Sequence, residues 1–290
     1  MLLLVVARFI LLQCGTRGVS RPADAPPRPT SAEVPAASAD SSPPLRGSEA
    51  SIAESVHLAL GVPRAADPKD DQFLDERTFV LSYSAVKRVP NWVAWRLDRS
   101  YLGHVHRKDD FRPDPLLPAR FYRVNEHDYL HSGYDRGHMC PSADRDATPA
   151  DNSSTFLFTN MQPQLHELNA GPWERLETYA RQRAERGEVL YIVAGGVFSA
   201  PFPTIGNGVA VPAANFKIIV ALRAGRSAQE VTESDDALAV LMPNQHGVGA
   251  HDWTEYLTSV DAIERATGYD FLGAIPEKVQ RVIEARTAQP

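Results

Sequence analysis

Apolar residues gather in short runs along most of the chain, and these runs predict β-strands. Each run is rich in β-branched or aromatic residues and partly alternates with polar positions, as strands do. The predicted strands are Thr78 to Tyr83, Trp92 to Leu97, Thr155 to Thr159, Val189 to Ala194, Phe216 to Leu222 and Ala237 to Met242. A turn at 86–91, which contains Pro90, separates the first two strands, and the pair Gly195-Gly196 ends the fourth.

One longer segment, from Asn169 to Arg186, has the periodicity of a helix. Its apolar residues recur at helical spacing, at Trp173, Leu176, Tyr179 and Ala180. Pro172 falls near the first turn, where a missing N–H costs nothing, and Gly187 can close the helix in the left-handed conformation. Shorter helices are predicted at 51–60, 260–267 and 277–285.

The order of these elements predicts an α+β fold. Strands come in runs with helices segregated among them, which favours a mostly antiparallel central sheet flanked by helices. A single catalytic domain at 71–286 is the simplest division of the chain, because its composition is globular throughout. Residues 21–70 are rich in Pro, Ala and Ser, bury little apolar surface and are predicted to form a linker.

Residues 1–20 predict export. Met1 to Leu12 is apolar except for Arg8, which suits the core of a signal peptide. Leu11-Leu12-Gln13-Cys14 is similar to a bacterial lipoprotein box, so lipid anchoring is an alternative to a periplasmic or secreted product. The rest of the chain has no segment long and apolar enough to form a transmembrane span.

Charge and cysteine content narrow the functional classes. The formal net charge of −6 over 290 residues argues against a uniformly basic nucleic-acid coat protein, although a local basic groove remains compatible with it. Cys14 and Cys140 are the two cysteines, too few for a disulfide framework and too distant for a structural zinc site.

The segment from Tyr134 to Pro141 carries the strongest chemical signal. His138 can accept a proton near neutral pH, and Arg136 presents a planar fork of donors suited to phosphate. Gly137, between them, leaves the backbone free to bend. Together these residues suggest cleavage of a phosphodiester.

The predicted helix supplies the second half of this site. Asn169 offers a neutral carbonyl oxygen to Mg²⁺, which often takes only one or two protein ligands. Glu177 falls within the same broad stripe of the helix and can orient the metal's waters. A strand bearing His138, a second strand and this helix would form a compact ββα unit.

Each of these residues also has an ordinary structural interpretation. Asp-Arg-Gly-His can be a charged turn, Asn169 an N-cap, and Glu177 a surface partner of Arg181. Asn160 can simply end the preceding strand. If these residues had no catalytic role, all of these structural interpretations would have to hold at once.

Several separated blocks resemble the DNA/RNA non-specific endonucleases, the His-Me finger (ββα-metal), endonuclease G-like family. The blocks lie in the family's order between about Phe79 and Ile283. They are residues 135–145, 159–164, 168–177, 211–217, 242–244 and 263–271.

The resemblance implies a role for each site residue. His138 matches the proton acceptor, Asn169 the magnesium ligand and Glu177 the residue that fixes the metal's waters. Arg136 and Arg181 match arginines that contact the phosphate, and Asn160 an asparagine that supports the site. The resemblance also implies 5′-phosphate products and little discrimination between sugars. Ala170 and Cys140 depart from the usual glutamine and alanine, and neither departure removes a catalytic group.

The sequence therefore predicts an exported endonuclease that cleaves DNA and RNA with Mg²⁺, or Mn²⁺ in its place, and that has an inhibitor protein as a partner. Two other classes are weighed against it. One is a surface-anchored nucleic-acid-binding module with a degenerate nuclease fold, and the other is a periplasmic protein that binds zinc tightly without cleavage.

Overall fold

The fold is built around one large antiparallel sheet. The structure is a computed structural model and describes residues 52–290. Its strands are β1 (Arg64–Ala65), β2 (Gln72–Asp75), β3 (Val80–Ser84), β4 (Val89–Leu97), β5 (Asp135–His138), β6 (Met161–Gln164), β7 (Val189–Val197), β8 (Thr204–Ile205), β9 (Val209–Ala210), β10 (Ala214–Leu222), β11 (Ala237–Pro243), β12 (Leu257–Thr258) and β13 (Tyr269–Asp270). Seven of them form the central sheet, in the order β12-β11-β10-β7-β4-β3-β2.

Helices cover both faces of this sheet. The α-helices are α1 (Glu126–Tyr129), α2 (Pro149–Ser154), α3 (His166–Leu168), α4 (Glu174–Glu185), α5 (Val260–Thr267) and α6 (Glu277–Ile283). The 3₁₀ turns are Val56–Leu58, Pro68–Asp70, Arg99–Tyr101, Ser142–Arg145, Phe158–Asn160, Ala228–Glu230, Val248–Ala250 and Trp253–Tyr256.

Strand β4 shows how the two faces are filled. Its residues alternate between two cores, since Trp95 packs with Leu176 of α4 while Trp92 packs with Ile263 of α5. All four side chains are essentially excluded from solvent. The predicted α+β fold, with a mostly antiparallel sheet flanked by helices, is confirmed.

The segment 98–188 is a long excursion from this sheet. Strands β4 and β7 are antiparallel neighbours, with Leu97 opposite Leu190, yet these 91 residues of chain separate them. Within the excursion, β5 and β6 form a separate two-stranded sheet, which α4 follows. This arrangement contains the predicted ββα unit.

Most of the predicted strands and helices are present, with shifted ends. Strands β3, β4, β7, β10 and β11 overlap the predicted runs, α5 has the predicted bounds, and α6 ends two residues early. The prediction that Gly195-Gly196 ends a strand is wrong, because β7 continues to Val197. Both glycines lie where a Cβ would come within 3 Å of neighbouring atoms, so close packing explains them.

The predicted strand at 155–159 is wrong. Its residues are buried as expected, but Phe158–Asn160 is a 3₁₀ turn, and the strand β6 begins only at Met161. Leu157 makes a single bridge to Arg112 rather than a ladder. The run is apolar because its aromatic side chains are buried, and one isolated bridge does not make it a strand.

The predicted turn at 86–91 is also misplaced. Pro90 lies inside β4, opposite Tyr83, while Trp92 lies opposite Ser82. The register therefore shifts by one residue around Asn91, which is a β-bulge. A proline is tolerated there because the bulge interrupts the ladder.

The long predicted helix is broken near its start. Asn169–Trp173 forms a π-helical turn with non-helical dihedral angles at Gly171 (φ −109°, ψ −121°), and the regular helix α4 begins at Glu174. Pro172 therefore follows a kink rather than opening a continuous helix. Gly187 does close α4, with φ 96°.

Residues 52–70 pack against the domain, although their composition placed them in the linker. Leu58, Leu60 and Val62 are buried in the core that contains Trp92, and β1 pairs with β13. The predicted signal at 1–20 and most of the predicted linker lie outside the described residues. Among residues 52–290, no helix combines the length and apolar character needed to cross a membrane.

Candidate active site

The hairpin of β5 and β6 positions His138. This residue is the last of β5 and pairs with Met161, the first of β6. The rings of Phe111 and Phe156 meet the imidazole edge-on, with centroids 5.7 Å and 5.0 Å away. His138 is 8% exposed, and its Nε2 has no hydrogen-bond partner within residues 52–290.

Gly137 is needed for close packing rather than for a bend. It lies in extended β5, opposite Gln162. A Cβ on it would sit 2.0 Å from Oε1 of Gln164 and 2.6 Å from the Cγ of that residue, which is fully buried. The expectation that this glycine lets the backbone bend is therefore wrong.

Asn160 braces the chain that follows His138. Its Oδ1 accepts from the backbone N–H of Cys140 at 2.9 Å, and its Nδ2 donates to the carbonyl oxygens of Cys140 and Thr155 at 2.8 and 2.9 Å. The backbone N–H of Met139 donates to the carbonyl oxygen of Asn160. Because Asn160 is fully buried, it acts on the site through the backbone.

Asn169 is oriented by the first residue of the motif. Its Nδ2 donates to Oδ2 of Asp135 at 2.9 Å, and the same oxygen lies 2.8 Å from Nδ1 of His166. With its amide nitrogen used in this way, Asn169 keeps its carbonyl oxygen for another ligand. Asp135 therefore links the strand that bears the histidine to the helical turn that bears the asparagine.

Glu177 forms a buried ion pair with Lys217 of β10. The Nζ to Oε1 distance is 3.1 Å, and the two side chains are 1% and 11% exposed. The ammonium group also lies 4.1 Å from the centre of the Trp173 ring. Burial raises the pKa of Glu177 above its ordinary value, while Lys217 and Arg181 oppose that shift.

Arginines line the same region. Arg136 stacks on Phe111 at 3.9 Å from the ring centre and lies 3.4 Å from Oε1 of Glu126. Arg181 contacts Oδ1 of the buried Asp144 at 3.3 Å. Fixed in this way, the two guanidinium groups present positive charge without needing to be ordered by a ligand.

One cavity of about 490 Å³ brings these side chains together. Five predicted site residues line it: Arg136, His138, Asn169, Glu177 and Arg181. Asn160 does not line the cavity, and it contacts the site through its hydrogen bond to the backbone of Cys140. The two halves of the site, predicted from separate stretches of sequence, therefore meet in one cavity. The kink at Gly171 separates Asn169 from the regular helix that carries Glu177.

His138 is held in its neutral form. Its pKa is lowered to about 3, mainly by burial and then by the positive charges of Arg107 and Arg136. A neutral imidazole is the form that can accept a proton. Cys140 is different in character, because burial raises the pKa of its thiol to about 12 and it packs in the core.

Three residues of the site were missed as functional groups. Asp135 orients Asn169, Lys217 pairs with Glu177, and Asp144 pairs with Arg181 while accepting from Trp95 Nε1 at 2.9 Å. Lys217 left a signal in the sequence, since it is the one charged residue in the apolar run 214–222. Asp135 and Asp144 lie within the conspicuous block at 135–145, but their roles depend on partners more than 30 residues away.

The donor set of the cavity fits a hard divalent cation. Asn169 offers a carbonyl oxygen and Glu177 a carboxylate, and both line one cavity. Oxygen ligands of this kind, with water completing the shell, suit Mg²⁺ better than a softer metal.

The fold and this cavity together define a phosphodiester hydrolase of the ββα-metal type. The model of the DNA/RNA non-specific endonuclease family matches residues 62–278, and the chain belongs to this family. It is therefore a nuclease of a family that depends on a metal.

Individual relatives agree with this assignment. A nuclease of Nostoc sp. is 43% identical over 84% of this chain and 89% of its own length. The human mitochondrial nuclease EXOG is 33% identical over 66% of this chain, which spans about half (54%) of that protein. A solved structure of EndoG in complex with EndoGI matches with a TM-score of 0.67 at 25% identity, over 80% of this chain and 96% of its own.

Proposed function

We propose that the protein is a Mg²⁺-dependent endonuclease that hydrolyses both DNA and RNA to 5′-phosphate products. One observation carries the proposal: the buried His138, whose Nε2 has no partner within residues 52–290, lines the same cavity as Asn169, Glu177, Arg136 and Arg181. The cavity thus combines a base, oxygen ligands for a metal and donors for a phosphate.

His138 is proposed as the general base that takes a proton from water. In the free protein, burial and the charges of Arg107 and Arg136 hold its pKa low. A bound phosphodiester would place negative charge beside those arginines, which raises the pKa of the imidazole toward the range that an effective base needs. Substrate binding would therefore prepare the base.

Arg136 and Arg181 are proposed to hold the phosphate. A guanidinium group offers paired donors that match phosphate oxygens, and both groups already have fixed partners in the free protein. Asn169 would hold the metal, and Glu177 would orient its waters. When bound, Mg²⁺ supplies positive charge to the leaving oxygen. Departure of the 3′ oxygen leaves the phosphate on the 5′ side.

These contacts address the phosphate rather than the sugar, which supports action on both DNA and RNA. The alternative of a binding module with a degenerate nuclease fold is disfavoured, because every predicted catalytic group is present and all but the supporting Asn160 line one cavity.

Digestion of supercoiled plasmid and of a structured RNA tests the proposal. Cleavage of both is expected with Mg²⁺ or Mn²⁺ and is expected to stop with EDTA. His138→Ala should lower kcat by about 10²–10⁴-fold because it removes the base, while gel-shift binding stays near that of the parent. His251→Ala, at an exposed histidine, is the matched control and should cleave normally.

Parent-like cleavage by His138→Ala would overturn the assigned base, and cleavage that persists in EDTA would overturn the metal requirement. Mass spectrometry of the cleaved ends checks for 5′-phosphates. Products with 3′-phosphates would contradict the proposed direction of attack.

Two further proposals concern the cellular setting. We propose export, from the composition of residues 1–20, and N-terminal sequencing of the mature protein from its natural source checks it. Recovery of an uncleaved Met1 would contradict it. We also propose a protein inhibitor, since the similar EndoG was solved in complex with one. Copurification from the same source, scored by loss of plasmid cleavage, tests it.

A further inference from the structure

A second cluster of oxygen ligands lies on the opposite face of the sheet from the active site. Asp261 and Glu264 belong to α5, and Glu284 directly follows α6. One carboxylate oxygen of each lies within 4.8 Å of the others. The neighbouring Val260 and Ile263 pack in the core with Trp92, whereas α4 packs with Trp95 on the other face.

Glu284 is unusual within this cluster. The residue is 7% exposed, and its Oε1 is buried without a hydrogen-bond partner among residues 52–290. A buried carboxylate oxygen without a donor costs free energy, so such groups usually have a counter-charge or a metal. Glu284 also faces two further carboxylates rather than a base.

The charges around Glu284 are negative. Its charged neighbours Glu264, Asp261 and Asp270 are all carboxylates. Arg265 is an opposing charge beside Glu264. A cation placed among these oxygens would stabilise all three ionised carboxylates.

We propose that Asp261, Glu264 and Glu284 bind a Ca²⁺ ion that links α6 to α5. The backbone already joins these elements, because the N–H of Asp261 donates to the carbonyl oxygen of Glu284 at 3.1 Å. Ca²⁺ suits the cluster better than Mg²⁺ does, because it accepts several carboxylates in irregular geometry and sheds its waters more readily. The ion is separate from the catalytic metal and serves stability.

Thermal unfolding monitored by intrinsic fluorescence tests the proposal on the full-length protein. The Asn169→Ala variant is used as the background, since it removes the proposed ligand of the catalytic metal. Its Tm is expected to rise by several degrees in saturating Ca²⁺ relative to EDTA, and by less in the same concentration of Mg²⁺. Calorimetric titration of this variant should give one bound Ca²⁺ per chain.

Glu284→Gln added to that background should remove both the Tm rise and the calorimetric signal. In EDTA this variant should be as stable as its background or more so, because it removes repulsion. Glu277→Gln, at an exposed glutamate of α6, is the matched control and should retain the Ca²⁺-dependent rise in Tm. Asp261→Asn provides a second substitution within the cluster and should behave like Glu284→Gln.

Several outcomes overturn the proposal. They are an absent Ca²⁺ response in the Asn169→Ala background, a response that survives both cluster substitutions, and a response to Mg²⁺ equal to that for Ca²⁺. Plasmid cleavage by Glu284→Gln in an otherwise unchanged chain should equal that of the parent, since the cluster lies away from the catalytic cavity.

Discussion

The two sides of the catalytic cavity are held in place by different kinds of interaction. On the side of the base, Asn160 fixes the turn after His138 through three uncharged hydrogen bonds to backbone atoms. On the side of the metal, Asn169 and Glu177 are fixed by charged partners, Asp135 and Lys217. The geometry of the base should therefore be insensitive to charge, whereas that of the metal ligands should depend on it.

The difference follows from what each side must do. A base needs a fixed position and a neutral imidazole, which burial provides at the cost of a low pKa. On the metal side, Glu177 acts through an ionised carboxylate, and burial disfavours its charged form unless a cation such as Lys217 lies beside it. The catalytic metal would add a second positive charge near the same carboxylate.

Lys217→Met should have the largest effect on stability. It leaves the Glu177 carboxylate buried without its partner, which typically costs about 3–5 kcal/mol in the free energy of unfolding. Urea unfolding measures this loss, and the Mg²⁺ concentration for half-maximal cleavage should rise as well. The double variant Lys217→Met/Glu177→Gln should recover much of the stability but not the cleavage.

A single variant as stable as the parent would show that the pair contributes little to the fold. A double variant with normal cleavage would show that Glu177 has no role at the metal.

Asn160→Ala should have the next largest effect. It leaves the backbone groups of Cys140 buried without partners, so we expect a loss of about 2–3 kcal/mol in the free energy of unfolding. Its kcat should fall because His138 is displaced, while the Mg²⁺ concentration for half-maximal cleavage stays unchanged. Urea unfolding and a Mg²⁺ titration of cleavage measure the two effects. A shift in that Mg²⁺ concentration would contradict the conclusion that Asn160 affects the base and not the metal ligands.

The pH dependence that His138 imposes on stability is the smallest effect when it is counted per pH unit. The pKa of His138 is about 3 in the folded protein, and that of a histidine in an unfolded chain is about 6.5, so between these values the unfolded state binds more protons. Stability should therefore rise with pH across this window and level off above about 6.5. The largest slope from one such group is about 1.4 kcal/mol per pH unit.

His138→Gln should reduce that slope in urea unfolding measured from pH 4 to 7. His251→Gln, at an exposed histidine, should leave it unchanged. His57, whose pKa burial lowers to about 4, acts in the same direction, so part of the slope will remain in either variant. An unchanged slope in His138→Gln would contradict the low pKa.

Much of the sheet could be predicted because its central strands are apolar on both faces. Strand β10, for example, is buried almost along its whole length and contains a single charged residue. The errors arose at residues that are buried but are not paired in a sheet. Phe156 and Leu157 are buried like strand residues, yet their neighbours form a 3₁₀ turn.

The candidate site residues that the sequence predicted are those whose chemistry is local, and the residues that it missed are those defined by distant partners. The base and the arginine stand close together in one motif, whereas the pairing of Lys217 with Glu177 spans 40 residues. The kink at Gly171 was missed for a related reason, because a proline near the start of a helix and a proline after a kink have the same local sequence.

The excursion between β4 and β7 has a consequence for the evolution of the molecule. Every proposed catalytic residue, from Arg136 to Arg181, lies in the segment 98–188, while the strands on either side of it are adjacent in the sheet. The chain therefore separates the part that carries chemistry from the part that carries the scaffold. Because longer loops add little closure entropy, the surface loops of this segment can gain insertions while the sheet and the helix packed on it stay intact.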